Sequence, residues 1–304
     1  YRPRISFDRQ AAGSLIRFGR WIFLAGVAGL FAGTMLRYVI SRQLGTVELG
    51  LYYLAASLAF LPSEIMSQVV GDVTFPMYSR LQGAHEAMAR TFRSVLSGTV
   101  TLLIPSCLLL IALSPGLVEY ALGEKWHGTV PIIQMLGTVN IIGLLGDNVA
   151  PILKGAGRPN RVVAIEVTQS VILISLAWMF TSSWGVQGAA LAWIPAIAVS
   201  QFMSAIFVKQ LIPRPFRGLG KILSSVVAAT SIGLLAAIWI FGTLPSFAGL
   251  ILSATGSGFL IAALLFILDR SFSLGVAQDL ASVFPQLASV LGVSAQRDSK
   301  TGTT

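Results

Sequence analysis

The chain has 304 residues, of which 55% are hydrophobic and 11% are charged, and its formal net charge is +9 at pH 7. A soluble globular protein carries about 25% charged residues, so this composition excludes a protein whose whole surface faces water. The single cysteine excludes an intrachain disulfide framework and a CxxC metal pair.

Apolar segments long enough to cross a bilayer recur along the chain. A transmembrane helix needs about 20 residues. Residues 167–208 and 222–268 contain no Asp, Glu, Lys or Arg, so each run is expected to cross twice, with turns at 181–185 and 242–246. The pattern predicts an all-α integral membrane protein with about eight transmembrane helices, near residues 21–41, 50–75, 96–115, 130–152, 162–181, 187–208, 221–241 and 247–268.

Four regions follow in chain order. Residues 1–20 form a basic cytoplasmic entry segment, and residues 21–208 form a six-helix transmembrane bundle. Residues 209–268 add two transmembrane helices, and residues 269–304 form a cytoplasmic tail that is either amphipathic or disordered. Because the chain starts at Tyr1 and shows no signal peptide, we expect it to be a piece of a longer protein.

The basic residues sort to one side of this eight-helix arrangement. Short loops rich in Lys and Arg stay cytoplasmic, which predicts that both termini of this chain are cytoplasmic. This explains the net charge without a nucleic-acid partner. Of the 21 Lys and Arg, three lie on or near the other side (Arg37, Arg42 and Lys125), and the rest lie in the five segments 2–20, 80–93, 154–161, 209–221 and 270–300.

Signatures of enzyme chemistry are absent from the sequence. The two histidines, His85 and His127, fall in loops on opposite sides, so they cannot form a two-histidine metal site. No GxSxG, Walker A or HExxH motif occurs. We therefore predict no catalytic residue, no metal site and a function other than covalent catalysis.

Two ionisable residues lie at membrane depth in the first two helices. Glu64 is 13 residues beyond Leu51, or about 20 Å along its helix, and Pro62 removes a backbone hydrogen bond beside it. Glu64 is either a transport residue or a protonated structural glutamate. Arg37 either extends its side chain to the outer surface or faces a cavity as the cation for an anionic substrate.

A second group of polar residues lies in or near the inner third of the later helices. Asp147 and Lys154 are seven residues apart and so share one helix face. They either form a structural pair or line an inward vestibule, and the amides nearby either line the same space or bond neighbouring helices. The substrate or cavity candidates are Arg37, Glu64, Asp72, Asn140, Asp147, Asn148, Lys154 and Glu166.

Several short motifs follow one another in a characteristic order. They include glycines and prolines at turns and a mixed aromatic and basic segment after the second helix. The motifs are SFDR through FG (6–19), LG and LGLY (44–52), FPMYSRLQ (75–82), LGEKW with VP (122–131), GAGRPN (155–160) and GVQGAA (185–190).

In this order the motifs resemble those of bacterial polysaccharide transporters, the lipid-linked oligosaccharide flippases. This family belongs to the MATE-like (multidrug/oligosaccharidyl-lipid/polysaccharide) superfamily. The resemblance covers about residues 4–215. It implies that the chain corresponds to the C-terminal six-helix bundle plus two extra helices of a larger transporter. Relatives often carry a carboxylate in the first of these helices, whereas this chain has Leu36 and Arg37 there.

The resemblance implies a function in transport. It implies export of a polyprenyl-pyrophosphate-linked oligosaccharide across the bacterial cytoplasmic (inner) membrane by alternating access, with no cofactor and with H⁺ or Na⁺ as the coupling ion. Implied partners are membrane lipid, the lipid-linked substrate, the N-terminal half of the same polypeptide and polysaccharide polymerase machinery. The alternatives are an ion-coupled multidrug antiporter of the same fold and a non-transporting membrane scaffold.

Overall fold

The structure is a computed structural model that describes residues 9–272. Within this range the regular elements are helices, joined by short turns, in agreement with the predicted all-α membrane fold. A π-helical turn (Val118–Leu122) and a 3₁₀ turn (Glu124–Thr129) lie between the third and fourth long helices. The long helices are α1 (Arg9–Leu44), α2 (Thr46–Arg80), α3 (His85–Leu117), α4 (Val130–Gly155), α5 (Pro159–Leu191), α6 (Trp193–Lys209), α7 (Leu219–Thr243) and α8 (Phe247–Phe272).

The eight predicted transmembrane segments all lie within these helices or their junctions. Seven of the described helices are long and apolar enough to span a membrane. The remaining helix, α6, has 17 residues, but Ala192 before it keeps helical φ and ψ. The end of α5 therefore continues into α6, and together they supply the pass predicted at 187–208.

The turn predicted at 181–185 is a sharp kink in α5. Trp184 and Gly185 leave helical geometry, and Gly185 has φ of 60°, which favours glycine. Gly188 packs directly against the carbonyl group of Phe180, where a Cβ atom would clash. The two glycines of the GVQGAA motif therefore allow the chain to turn back tightly between two membrane passes.

Helix pairing divides the molecule into a six-helix unit and a peripheral hairpin. In the six-helix unit (α1–α6), α1 packs mainly on α5, and α2 packs mainly on α4. Because α1 and α2 contact each other little, these two helices diverge from the turn at Gly45. Helices α7 and α8 pack on each other and on α3, so they lie outside the six-helix unit.

The basic loops meet at one end of the helices, which we call the basic end. Gln82 donates a hydrogen bond to the Gly155 carbonyl, with an N–O distance of 2.6 Å. Arg161 lies over the Phe207 ring, with its Cζ atom 5.0 Å from the centroid. That this end faces the cytoplasm stays a prediction of the positive-inside rule. The predicted entry segment 1–20 is described only from Arg9, where α1 begins, and most of the predicted tail, 273–304, lies outside the described residues.

Candidate functional site

A partly open polar cavity of about 370 Å³ lies inside the six-helix unit. Helices α2, α4, α5 and α6 supply its walls, and it extends from the middle of the bundle towards the basic end. Four of the residues selected from the sequence line this interior cavity: Asn140, Asp147, Lys154 and Glu166.

Two carboxylates and one amine give the interior cavity its charge. Asp147 on α4 lies beside the Ser67 hydroxyl of α2 and interacts electrostatically with Glu166 of α5. Glu166 in turn interacts with Lys154, which is on α4 near the basic end. With all three groups ionised the cluster carries one net negative charge, so it attracts a further cation.

Asn140 holds α2 at its proline. Its amide nitrogen donates to the carbonyl of Ala59, and its amide oxygen accepts a hydrogen bond of 2.9 Å from the Ser63 hydroxyl. These contacts lie on either side of Pro62, an interior residue of α2 that cannot donate a helical hydrogen bond. Asn140 therefore fixes the local path of α2 at the end of the cavity that lies in the middle of the bundle.

Two buried oxygen atoms in the cavity wall lack a hydrogen-bond partner among the described residues: Gln201 Oε1 and Ser204 Oγ, both on α6. The Gln201 amide nitrogen donates to the Gly143 carbonyl at 2.9 Å. Buried polar atoms are usually satisfied by protein or water. These two atoms are therefore suited to bind water or a hard cation inside the cavity.

The side chains that the structure describes form no cluster of metal ligands: among them, no three His, Cys, Asp or Glu come together. The interior cavity instead presents carboxylate, amide and hydroxyl oxygens. This donor set suits a proton or an alkali cation better than zinc or another soft metal.

Asn148 and Asp72 differ from the four cavity residues. Asn148 is 1% exposed, accepts a hydrogen bond of 3.1 Å from Thr99 on α3 and donates to the Leu144 carbonyl. It therefore bonds neighbouring helices, which is the alternative left open by the sequence. Asp72 lies in α2, and its side chain is outside the described part of the structure.

Arg37 and Glu64 lie on an exposed surface that we call the α1–α2 face. The Arg37 guanidinium lies over the Tyr53 ring, with its Cζ atom 5.8 Å from the centroid, and Tyr53 is 59% exposed. Glu64 is also exposed and does not line the interior cavity. The structure therefore separates the seven candidates whose side chains it describes between the interior cavity, this outer face and helix–helix contacts.

Two of the family-like motifs contact each other at the basic end. Tyr78, from FPMYSRLQ, is fully buried and packs against Gly155, from GAGRPN, at a position where a Cβ atom would clash. Burial raises the pKa of the Tyr78 phenol, so it stays neutral at physiological pH. The motifs hold α2 against α4 directly below the cavity, so they have a packing role.

Sequence reasoning missed the α2 and α6 contributions to the cavity wall. Ser63 and Ser67 are four residues apart on α2, and Ser200 and Ser204 are four apart on α6, with Gln201 beside them. Polar side chains recurring at helical spacing in apolar helices were the available signal. That signal alone does not say which face of a helix meets a cavity.

Comparisons with known proteins agree with the fold. Residues 1–131 match the family described as polysaccharide biosynthesis protein. The chain is 23% identical over 218 residues to lipopolysaccharide biosynthesis protein WzxC of Escherichia coli K12, covering 71% of this chain and 44% of the relative. It is 22% identical over 229 residues to teichuronic acid biosynthesis protein TuaB of Bacillus subtilis 168, covering 71% of this chain and 47% of the relative.

A solved structure shows the same architecture. A MOP superfamily transporter from Pyrococcus furiosus matches with a TM-score of 0.51 and 18% identity, covering 93% of this chain and 74% of that one. The chain spans about half the length of the curated relatives it matches. Together these matches confirm the resemblance, drawn from the motifs, to polysaccharide transporters of the MATE-like superfamily.

Proposed function

We propose that the chain forms one half of an alternating-access exporter for a polyprenyl-pyrophosphate-linked oligosaccharide. The observation that carries this proposal is the exposed Arg37 on the α1–α2 face, inside the apolar span 15–44. A charged side chain in hydrocarbon costs about 2.5–3.5 kcal/mol on insertion scales. Such a face is more stable beside a polar passage than beside lipid.

The charge of Arg37 favours an anionic substrate. A guanidinium binds phosphate oxygens through paired hydrogen bonds, and these are strong where water is scarce. The neighbouring Tyr53 ring supplies the flat aromatic surface on which a sugar can stack. An exporter of cationic drugs, the alternative with the same fold, would use an acid such as Glu64 on this surface, but its substrate would be repelled by the Arg37 guanidinium.

The interior cavity is assigned to the coupling ion. Its volume of about 370 Å³ accommodates water and an ion but not an oligosaccharide of several sugars joined to a lipid. The Asp147 and Glu166 carboxylates belong to separate helices, α4 and α5. Binding of H⁺ or Na⁺ between them therefore stabilises one relative position of those helices, which is how ion binding biases alternating access.

A second bundle is part of this proposal. Alternating access needs two halves that face a shared cavity, and the six-helix unit α1–α6 supplies one. The other half would cover the α1–α2 face, and α7 and α8 would remain at the periphery in contact with lipid. In this arrangement the protein transports its substrate and does not modify it covalently.

Site-directed photo-crosslinking in the intact transporter tests the assignment. A photoreactive phenylalanine analogue at Tyr53 should crosslink to a radiolabelled polyprenyl-pyrophosphate oligosaccharide, because Tyr53 lies beside Arg37 on the substrate path. The same analogue at Phe259, which is 79% exposed on α8, should crosslink to phospholipid only. Equal substrate labelling at both positions, or none at Tyr53, would reject the proposed path.

A further inference from the structure

The loop between α6 and α7 is held in place at the basic end. Leu211 and Ile212 are 6% and 2% exposed, respectively. The His85 ring nitrogen Nδ1 lies 3.0 Å from the Leu211 carbonyl oxygen, and the Arg93 guanidinium donates to the Arg214 carbonyl at 3.3 Å. Residues on both sides of the loop tip are thus fixed to α3.

Arg214 has an unusual backbone conformation within this loop. Its φ is 45°, and it is the one non-glycine residue among those described with a positive φ. Such a conformation is unfavourable for a residue with a Cβ atom and is often kept for a functional reason. A glycine would adopt this φ with less strain, which indicates that the arginine side chain has a function at this position.

Aromatic contacts set the loop against the bundle. The Phe216 ring meets Phe92 of α3 edge to face, with centroids 6.5 Å apart. The Lys209 ammonium lies over the same Phe216 ring, 5.8 Å from its centroid. These contacts hold Phe216 against α3 and place the Lys209 ammonium beside it.

The result is a shallow basic recess of about 490 Å³, which we call the loop recess. It combines three cations with apolar side chains, and residues 209–221 contain no Asp or Glu to neutralise them. The lining residues are Lys209, Ile212, Pro213, Arg214, Pro215, Phe216 and Arg217.

We propose that the loop recess binds the headgroup of an anionic phospholipid from the adjacent leaflet. The recess lies where α6 ends and α7 begins, so it is at the depth of lipid headgroups. Arginine and lysine bind a phosphate diester, and the prolines and Phe216 provide an apolar surface for the glycerol and first methylenes. Exposed apolar residues of α7, Leu223 and Val227, continue from there along the acyl chains.

This lipid site is distinct from the interior cavity and from the α1–α2 face. None of its lining residues belongs to the cavity wall. A lipid held there would link α3, α6 and α7, and would thereby attach the α7–α8 hairpin to the six-helix unit. The proposal therefore stands whether or not the chain transports an oligosaccharide.

Native mass spectrometry of the purified full chain in detergent tests this site. The chain is titrated with palmitoyl-oleoyl-phosphatidylglycerol and, separately, with the matching phosphatidylcholine. The triple variant Lys209→Gln, Arg214→Gln and Arg217→Gln should bind phosphatidylglycerol about 100-fold more weakly, because each interfacial cation contributes roughly fivefold. The matched control carries Arg17→Gln, Arg80→Gln and Arg90→Gln, three exposed cations outside the loop recess, and should bind as the wild type does.

A single variant separates lipid binding from folding. Arg214→Gly removes one cation and relieves the positive φ, so it should lower phosphatidylglycerol affinity while raising the melting temperature of the chain. If the control triple variant weakened phosphatidylglycerol binding equally, general charge attraction would explain the binding and the proposed site would be rejected. Wild-type binding by the loop triple, or displacement of the lipid by equimolar inorganic phosphate or by a polyprenyl pyrophosphate, would also overturn it.

Discussion

The α1–α2 and α7–α8 hairpins expose surfaces of opposite character. Both are pairs of long helices joined by a short turn, and both expose large apolar side chains. Only the first also exposes charges at membrane depth, Arg37 and Glu64, whereas residues 222–268 of the second contain no charged residue. Lipid contact would account for the second surface, and the proposed polar passage would account for the first.

Introducing a charge on each surface tests this contrast most strongly. Leu235 is 70% exposed near the middle of α7, and Thr34 is exposed three residues from Arg37 on α1. Leu235→Arg should lower the equilibrium constant for membrane insertion about 100-fold, the effect of about 2.5–3.5 kcal/mol. Thr34→Arg should be tolerated in the intact transporter. Insertion is measured by glycosylation mapping, and equal loss for both variants would remove the distinction.

The interior cavity extends the comparison, because its charges lie inside the six-helix unit and not on an outer face. Asp147→Asn removes a carboxylate from the proposed ion site, so export should lose its dependence on the proton or sodium gradient and fall to the level seen without one. The readout is movement of labelled lipid-linked oligosaccharide from the outer to the inner leaflet of inverted vesicles at set gradients. Glu86→Gln, at an exposed acid of α3 outside the cavity, is the control and should keep full gradient dependence. Retention of that dependence by Asp147→Asn would move coupling elsewhere.

Arg37→Ala tests the substrate role of the α1–α2 face. Loss of a charge-assisted hydrogen bond costs about 1.5–3 kcal/mol, so the concentration of substrate needed for half-maximal export should rise about tenfold or more. Arg37→Lys should give an intermediate value, since the charge remains without the planar fork. Arg42→Ala, at an exposed arginine in the last turn of the same helix, should change export little. The same loss from Arg42→Ala would indicate that nonspecific surface charge, not the position of Arg37, matters.

Glu64→Gln is expected to have the smallest effect. Its side chain is exposed on α2 and lies outside the interior cavity, so coupling through Asp147 and Glu166 does not require it. Export by this variant should keep its gradient dependence and decline less than for Arg37→Ala. If Glu64→Gln abolished gradient dependence while Asp147→Asn preserved it, the coupling carboxylate would lie on the outer face.

Sequence predicted the membrane passes well because hydropathy runs and turn residues determine them locally. The uncharged runs and Gly185 were sufficient for the paired passes α5–α6 and α7–α8. The cavity was harder to predict from the sequence. The position of a residue along a helix follows from its number, but the rotation of the helix about its axis does not. Asp147 and Lys154 were paired by their spacing, whereas only the packing of α2 and α6 brings Ser67 and Ser204 to the same space.

Glu64 shows the same limit for a residue that lies outside the cavity. Its position along α2 beside Pro62 follows from residue number, but the hydrogen bonds on either side of the proline are made by Asn140 on another helix. Which side of α2 the carboxylate occupies depends on how α2 packs on α4. No pattern within α2 alone contains that information.

Substrate movement in a purified system tests the central claim most directly. The intact transporter is reconstituted into liposomes with a fluorescent polyprenyl-pyrophosphate oligosaccharide, and an impermeant quencher reports how much substrate reaches the opposite leaflet. We predict movement that depends on a proton or sodium gradient, loses that dependence in Asp147→Asn and is weakened in Arg37→Ala. No movement above protein-free liposomes, or movement unchanged in both variants, would contradict the account.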